Sequence, residues 1–290
     1  MFDLPTYLAA GARWIEDALR HLVPPADTRP ATLHAAIHHS LFAGGKRLRP
    51  ILCAAAAEAC GASREVALFP AAAIECLHTY TLIHDDLPCM DNDDLRRGQP
   101  TCHVVYGQAI ALLAGDALQA LAFELAARTP VATVDIIREL ATAAGSTGVV
   151  GGQVEDIQGE RLPPDADRLR YIQQHKTGDL IICACRMGML AAGAPPADLA
   201  AITAYAAAIG EAFQIADDIL NATATPEQLG KAVGTDAARE KTTAVSVYGL
   251  AGARQRLHQL VATATAALAP LPGNTQPLAA LAQHIATRQS

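Results

Sequence analysis

Five aspartates lie within the eleven-residue segment HDDLPCMDNDD, residues 84 to 94, and oxygen ligands at this density could bind a divalent cation. The segment directly follows an apolar, helix-like stretch, IECLHTYTLI. Like charges at helical spacing repel, and buried carboxylates are costly unless a positive group meets them. A solvated helix end is the alternative, but the apolar residues before the aspartates and the arginines after them oppose it. We therefore predict a chemical role for Asp85, Asp86 and Asp91, which form the pattern DDxxxxD.

A second acidic segment, FQIADDILNATA, follows about 130 residues later. Asp217 and Asn221 are four residues apart and share one helical face, with Gln214 one turn earlier and Asp218 alongside. The two segments are predicted to form opposite walls of one cavity. Oxygen ligands without a nearby histidine or thiol set favour Mg²⁺ held partly through water and a substrate phosphate. Calcium fits less well, because the EF-hand glycine and closing glutamate are missing.

Basic residues beside glycines and aspartates could hold the phosphate charge that a bound Mg²⁺ leaves unneutralised. The chain is acidic, with a net charge of −7, so basic residues tied to these positions form a specific pattern. The candidates come from the segments GGKRLRP, LRRG, HKTGD and LGKAVGTD, and are Lys46, Arg47, Arg49, Arg96, Arg97, Lys176 and Lys231.

Helices must position these residues, since apolar residues recur at steps of three and four nearly everywhere, as in Leu118, Leu121 and Leu125. Alternation typical of strands is almost absent. Turn-forming residues predict breaks at 24–30, 61–63, 128–130, 159–167, 193–198, 224–236 and 270–277. Between them we expect about ten helices of 12 to 28 residues. The prediction is one all-α domain spanning residues 1–290, a helical bundle around a central core.

Composition narrows the function classes. The acidic net charge opposes broad nucleic-acid or anionic-membrane binding, which needs a basic face. Seven cysteines, an odd number scattered through apolar segments, favour reduced thiols in a cytosolic protein. The first residues lack the pattern of a secretory leader, and no apolar stretch was found to reach about 18 residues. We therefore expect a soluble, cytoplasmic protein without stable membrane anchoring.

Seven sequence blocks occur in one order between residues 44 and 243: GGKRLRP, LHTYTLIHDDLPCMDNDDLRRGQPT, LAGDALQALAFE, GVVGGQ, HKTGDLI, FQIADDIL and LGKAVGTDAAREKTT. In these blocks the chain resembles the trans-isoprenyl diphosphate synthases, and most closely the bacterial farnesyl diphosphate synthases. One DDxxxxD arises easily by chance, whereas seven ordered blocks do not. The resemblance implies the isoprenoid synthase type I fold, a deep central cavity and a homodimer.

The resemblance also implies roles for individual residues. In that family roughly three Mg²⁺ ions link an allylic diphosphate to both acidic walls. The matching metal ligands are Asp85, Asp91 and Asp217, with Asp86 and Asp218 in support. The residues matching those that hold the allylic diphosphate are Arg96, Lys176 and Lys231. The residues matching those that hold isopentenyl diphosphate are Lys46, Arg49, His78 and Arg97, and Gln214 matches a polar residue near the metals and the reacting ends.

The chemistry of such an enzyme explains these residue types. An allylic C–O bond breaks when metals and fixed cations stabilise the departing diphosphate, so no protein nucleophile is needed. The double bond of isopentenyl diphosphate attacks the allylic cation, and a proton is lost, which we assign to the released diphosphate. Water would quench the cation, so apolar walls must exclude it.

Product length should depend on the depth of the cavity beneath the first acidic motif. Tyr80 lies five residues before Asp85, which is about 7.5 Å along a helix. In the family, a bulky aromatic residue here, with two extra residues inside DDxxxxD, goes with a fifteen-carbon product. We therefore predict farnesyl diphosphate, made from dimethylallyl and then geranyl diphosphate.

Two departures from the family pattern and three alternatives remain open. Asn221 replaces a usual aspartate, and Ala244 and Val245 replace Tyr and Pro, which should loosen a helix start near the site.

A terpene cyclase would normally lack the isopentenyl-binding set. A geranyl or geranylgeranyl diphosphate synthase would use the same metal chemistry, although Tyr80 opposes longer chains. A non-catalytic regulatory subunit would tend to lose an acidic motif, as Asn221 hints. Gly151 and Gly152 are expected to permit close helix approach rather than to touch phosphate.

Overall fold

Helices make up nearly all of the computed structural model, which describes residues 2–160, 162–163, 165–223 and 243–287. In chain order they are α1 (Leu4–Leu22), α2 (Ala31–Leu41), α3 (Leu48–Ala59), α4 (Leu68–Asp85), α5 (Cys102–Tyr106), α6 (Gln108–Ala127), α7 (Thr133–Ala144), α8 (Val149–Gly159), α9 (Ala166–Ile172), α10 (Asp179–Ala191), α11 (Pro196–Thr223), α12 (Ala244–Ala267) and α13 (Gln276–Thr287). A 3₁₀ turn at Arg64–Ala67 precedes α4, and a π-helical turn at Gln173–Gly178 joins α9 to α10. The predicted all-α class is confirmed.

Most helix ends fall at the predicted breaks, but the lengths differ. Helices α5 and α9 have only 5 and 7 residues, shorter than expected. A two-stranded antiparallel hairpin, β1 (Leu95–Arg96) and β2 (Gln99–Pro100), follows the first acidic segment. Strands of two residues carry no readable alternation, so the sequence did not predict them. The predicted break at 224–236 lies outside the described residues.

Small residues let the helices approach closely in the core. A Cβ placed on Gly188 of α10 would lie 2.0 Å from the carbonyl oxygen of Cys53 on α3, so only glycine fits this crossing. The neighbouring Cys183 and Cys185 are buried, and burial raises the pKa of each thiol. These cysteines pack as small apolar residues, as predicted, whereas Cys89 is exposed.

Helix α11 joins the site to the C-terminal helices. Its buried Tyr205 donates a hydrogen bond of 2.8 Å to the carbonyl of Leu278 on α13. Helix α12 packs along α11 and begins with a capping box, in which Thr243 and Ser246 each accept a hydrogen bond from the other's backbone N–H. The two hydroxyls satisfy orphan amide groups at this helix start, and the effect of Ala244 and Val245 on it stays a prediction.

Among the residues that the structure describes, three helical segments are long and apolar enough to cross a membrane by length and composition. They are Arg64–Asp85, Gln108–Ala127 and Pro196–Thr223. The expectation that no stretch reaches this length is therefore wrong by that measure. In the fold, 67%, 39% and 50% of the respective windows are buried, so the middle segment, α6, is the least covered of the three.

Candidate active site

The first acidic segment begins at the C-terminal end of α4 and continues through the loop that leads into the hairpin. Asp86 is buried and accepts two hydrogen bonds from Arg96, with Nε 2.8 Å and Nη2 2.6 Å from its Oδ1. The backbone N–H of Asp91 donates 2.8 Å to the carbonyl of Asp85, which returns the chain toward the helix end. The charged pair ties the hairpin to α4 and keeps the predicted metal ligands Asp85 and Asp91 at one place.

Asp85 is held in an environment that disfavours its charge. Burial raises the pKa of Asp85 to about 6; Lys176 opposes this rise, and Asp91 adds to it. The side-chain amide of Gln153 on α8 donates a hydrogen bond of 2.9 Å to Asp85 Oδ1. A divalent cation would stabilise this carboxylate, which the surrounding protein leaves only partly compensated.

Lys176 lies on the π-helical turn and faces the same carboxylates. Its Nζ is 2.6 Å from Oδ2 of Asp156 on α8. Burial would lower the pKa of Lys176, but Asp156 and Asp85 raise it above its ordinary value. Helix α8 can come this close because a Cβ on Gly152 would lie 2.3 Å from the Lys176 backbone nitrogen, so close approach is the role of this glycine, as predicted.

The second acidic segment is hydrogen-bonded to Thr177, the residue next to Lys176. Thr177 donates 3.1 Å to the amide oxygen of Gln214, and the Gln214 amide donates 3.2 Å to Asp218 Oδ1. Asp218 is buried and also accepts 2.7 Å from the backbone N–H of Ala244, so it anchors α12. Asp217 is exposed on the same helix, which suits a metal ligand better than the buried Asp218. The π-helical turn thus bridges the two predicted acidic walls.

A cluster of cationic and polar groups lies at the start of α3 and in the middle of α4. Arg49 Nη1 is 3.1 Å from His78 Nε2. Among the described residues, Arg49 Nε and His78 Nδ1 are buried without a hydrogen-bond partner. Burial lowers the pKa of Arg49 to about 10, and burial followed by the charge of Arg49 lowers the pKa of His78 well below its ordinary value. Such orphaned donors fit an anionic group such as a diphosphate.

Arg97 approaches this cluster through the glycine pair. Its Nη1 donates to the carbonyl of Gly44, and a Cβ on Gly45 would lie 2.5 Å from the Arg97 Cζ. Gly45 also has φ +130°, which side-chain-bearing residues rarely adopt. The exposed Lys46 follows directly and borders an apolar cavity of about 250 Å³ that Phe213 also lines. The glycines therefore let Arg97 approach the chain just before α3, whereas Lys46 borders a different cavity from the one that Arg97 lines.

Arg47 is a correction to the sequence-based set of phosphate-binding candidates. Its guanidinium is buried and binds three groups of the protein: Glu16 at 3.2 Å, Glu75 at 2.7 Å and the carbonyl of Leu41 at 2.7 Å. A guanidinium with its donors engaged in this way cannot also face a substrate. Arg47 adopts φ 47° just before α3, which turns its side chain into the core between its acidic neighbours.

Tyr80 lies on α4, deeper than Asp85, and its side chain is buried. Its ring packs edge-on against His84, with ring centroids 5.5 Å apart. Burial raises the pKa of Tyr80, and the charge of Asp85 adds to the rise. That Tyr80 closes a cavity beneath the first acidic motif stays a prediction.

The donor chemistry fits Mg²⁺ shared with a diphosphate. No group of three or more His, Cys, Asp or Glu that could hold a metal occurs among the described residues. Mg²⁺ commonly keeps several waters and binds one or two carboxylates together with substrate phosphates, so Asp85, Asp91 and Asp217 would serve as a partial set. The fit rests on the Asp85 carboxylate, whose pKa is raised by burial, and on the unpartnered Nε of Arg49. Lys231 lies outside the described residues.

The depressed pKa of His78 predicts a pH dependence of stability. A histidine whose folded-state pKa lies below its ordinary value of 6.5 provides stability above pH 6.5, and that stability is lost as the pH falls. We expect denaturant unfolding to show a loss of about 1.4 kcal/mol per pH unit below 6.5 that His78→Gln abolishes. The exposed His258→Gln should retain the wild-type slope; equal slopes in all three proteins would contradict the prediction.

Three contacts of the site were not found from sequence. Gln153 and Asp156 hold Asp85 and Lys176, but they lie 68 and 20 residues from these partners. The block GVVGGQ pointed to this helix only through its glycines. Glu75, the partner of Arg47, is a single acidic residue in an apolar run and could have raised the suspicion of a buried ion pair.

Comparison with known proteins shows likeness over almost the whole chain. The polyprenyl synthetase family model matches residues 30–270. Geranylgeranyl pyrophosphate synthase 9, chloroplastic, of Arabidopsis thaliana is 44% identical over 100% of this chain and 82% of its own. A dimethylallyltranstransferase of Fischerella ambigua is 43% identical over 99% and 84%. The crystal structure of an FPP/GFPP synthase from Zymomonas mobilis superposes with TM-score 0.86 at 36% identity, covering 98% of this chain and 99% of that one.

Proposed function

Because the chain belongs to the polyprenyl synthetase family, and is thus a short-chain prenyltransferase, we propose that it condenses isopentenyl diphosphate with dimethylallyl and then geranyl diphosphate to give farnesyl diphosphate. The observation that carries the proposal is the buried pair of Arg49 on α3 and His78 on α4, with two unpartnered nitrogens, and α4 also ends in Asp85. Cations for one diphosphate and carboxylates for the metal of another are what the reaction requires.

The side chains divide the work of binding two diphosphates. Lys46, Arg49 and Arg97 hold isopentenyl diphosphate, and neutral His78 adds a hydrogen bond without adding charge. The allylic diphosphate is held by Arg96, Lys176 and Lys231. Roughly three Mg²⁺, bound by Asp85, Asp91 and Asp217, supply Lewis-acid stabilisation of the departing diphosphate. Lys176 exchanges its contact with Asp156 for the diphosphate, and Gln214 orients Thr177 near the reacting ends.

The enclosed apolar helices let the allylic cation survive. The C–O bond of the allylic substrate breaks, and its electron pair leaves with the diphosphate. The double bond of isopentenyl diphosphate then forms the new C–C bond, and the proton lost from the adjacent carbon passes to the diphosphate. The protein contributes position, charge and exclusion of water rather than a nucleophile.

Farnesyl diphosphate is proposed as the product because of Tyr80. We expect Tyr80→Ala to open the space beneath Asp85 and to shift the main product by at least one five-carbon unit, since the bulky ring is buried on α4 five residues before Asp85. Reversed-phase chromatography of dephosphorylated products measures the shift. Tyr171→Ala, which removes a partly exposed tyrosine on α9, is the matched control and should leave product length unchanged. A fifteen-carbon product from Tyr80→Ala would contradict the floor assignment.

A geranylgeranyl diphosphate synthase is the second candidate. The relative from Arabidopsis thaliana favours this candidate, because it is named as a geranylgeranyl pyrophosphate synthase. Incubating the purified protein with Mg²⁺, isopentenyl diphosphate and each allylic primer separates the candidates by product length. If no primer gives a product, the result favours a non-catalytic subunit, which would agree with Asn221 in place of the usual aspartate.

A homodimer in the cytoplasm completes the proposal. Helices α5 and α6 present four apolar side chains that are each 47 to 51% exposed, namely Val104, Val105, Leu112 and Leu113. A second copy is the occupant that the family resemblance implies, and the free thiols suit a reducing compartment. Light scattering that gives the mass of one chain at micromolar concentration would contradict the dimer.

A further inference from the structure

Helix α9, the π-helical turn and α10 form one continuous helical run. A π-helical turn holds one residue more than an α-helical turn, so it rotates the faces of the helix after it by about 100° relative to those before it. Lys176, inside the turn, contacts Asp156 of α8. Its neighbour Thr177 contacts Gln214 of α11. The directions of both side chains therefore depend on the geometry of this turn.

The π-helical turn contains a polar group whose burial is not compensated. Gln173, its first residue, is 4% exposed, and its Nε2 has no hydrogen-bond partner among the described residues. A buried amide without a partner costs free energy. Helix α11 packs closely against the other end of the turn, since a Cβ on Gly210 would lie 3.0 Å from the Cα of Gly178. A contact that ties the turn to its own helix would offset part of the cost.

One hydrogen bond connects the middle of the turn to the start of α10. His175 Nδ1 is 2.8 Å from Oδ2 of Asp179, the first residue of α10, and the two side chains are only 18% and 19% exposed. A carboxylate can only accept, so Nδ1 carries a proton and donates it, whether the ring is neutral or charged. The Tyr171 ring packs against the imidazole, with ring centroids 4.2 Å apart. The pair is partly shielded from water, which strengthens it relative to an exposed pair.

His175 directly precedes Lys176, so a restraint on the histidine also restrains the backbone that carries the lysine. We propose that His175 and Asp179 are positioning residues for the allylic diphosphate, because their hydrogen bond holds the π-helical turn in the geometry that presents Lys176 to that substrate. They act through Lys176 and are not catalytic. The proposal rests on the proposed function, in which Lys176 holds the allylic diphosphate.

The test compares KM for the allylic substrate with KM for isopentenyl diphosphate. His175→Phe keeps an aromatic ring beside Tyr171 but removes the donor, and Asp179→Ala removes the acceptor. Each should raise KM for geranyl diphosphate about three- to tenfold, the range that one hydrogen bond of this kind sets. KM for isopentenyl diphosphate should stay unchanged, since the residues assigned to that substrate lie on other elements. His175→Asn should recover most of the wild-type value, because its amide nitrogen is as many bonds from the backbone as Nδ1 and can donate.

Asp167→Ala is the matched control. Asp167 lies in the first turn of α9, as Asp179 lies in the first turn of α10, so both substitutions remove the same charge from the start of a helix. Asp167 pairs with Arg170 of its own helix at 3.2 Å, with side chains 88% and 65% exposed. This variant should match the wild type in both KM values.

Two measurements test the hydrogen bond without turnover. The backbone amides of residues 173–178 should exchange with solvent about three- to tenfold faster in His175→Phe and Asp179→Ala, and at wild-type rates in Asp167→Ala. Isothermal titration with Mg²⁺ and inorganic pyrophosphate should show a loss of affinity by a similar factor in the first two variants.

Two results would overturn the proposal. One is a wild-type KM for geranyl diphosphate in folded His175→Phe and Asp179→Ala, and the other is an equal rise in both KM values, which a general loss of structure would produce. If the wild type makes no product from any primer, the proposed function fails separately. The pyrophosphate titration then decides the inference, since unchanged affinity in the two variants would refute it and a three- to tenfold loss would support it.

Discussion

Replacing Asp85 with asparagine should lower kcat/KM about a thousandfold, equivalent to about 4 kcal/mol of lost transition-state stabilisation. The substitution keeps the size of the side chain and its acceptor oxygen for Gln153, which donates 2.9 Å to it. It removes the charge that would hold Mg²⁺ against the departing diphosphate. The apparent Mg²⁺ concentration for half-maximal rate should also rise, and isothermal titration with Mg²⁺ and a non-hydrolysable bisphosphonate measures the same loss without turnover.

The same variant supplies its own test of folding. The folded-state pKa of Asp85, about 6, exceeds the ordinary 3.8, so the stability tied to its protonated form is full below pH 3.8 and is lost as the pH rises through 6. Asp85→Asn should therefore raise the thermal midpoint of the metal-free protein at pH 8 and leave it unchanged at pH 4. Asp94→Asn, in the same segment but with an 84% exposed side chain, is the control for both measurements. Equal activity of the two variants would remove Asp85 from the metal site.

Replacing Arg47 with methionine should lower the free energy of unfolding by about 3 to 5 kcal/mol. The change leaves the carboxylate of Glu75, 3% exposed, without its partner at 2.7 Å, and it also orphans the carbonyl of Leu41. Urea unfolding followed by circular dichroism measures the loss. Because the penalty comes mainly from the stranded carboxylate, adding Glu75→Gln should restore part of the stability.

An exposed ion pair provides the comparison for Arg47. Arg138 and Asp135 lie 2.9 Å apart on α7, with side chains 70% and 56% exposed. Arg138→Met should cost less than about 0.5 kcal/mol, since water and salt already screen such a pair. If Arg47→Met proves as mild as Arg138→Met and instead abolishes substrate binding, Arg47 belongs with the diphosphate ligands after all.

Local sequence patterns were enough to predict the helices and most of their ends. The run before Asp85 reads as a buried helix from its apolar residues alone, and the second acidic segment places Gln214 and Asp218 one turn apart by counting. Counting could not show that Asp86 is neutralised by Arg96, because either arginine of LRRG could turn inward at a hairpin only two residues wide. The hairpin determines which arginine turns inward, and the register of the hairpin is set by its turn and not by hydrophobic periodicity.

No local sequence pattern could identify contacts between residues that are distant in the chain. Lys176 was recognised as basic and near a glycine, but its partner Asp156 belongs to another helix. The π-helical turn that aims Lys176 inward inserts an extra residue into a helical turn, and periodicity of 3.6 has no signal for it. Arg47 was misassigned for the same reason, since Glu16 and Glu75 approach it only in the folded chain.

Under the proposed function, the position of a large side chain along α4 sets the length of the product. Each turn of α4 descends about 5.4 Å, similar to the main-chain span of one five-carbon isoprene unit. Tyr80 is the proposed stop, and Cys76, one turn further from Asp85 on α4, is buried with a side chain too small to stop a chain. Exchanging a large for a small residue at one of these positions would then change the product by whole isoprene units and leave the aspartates at the helix end unchanged.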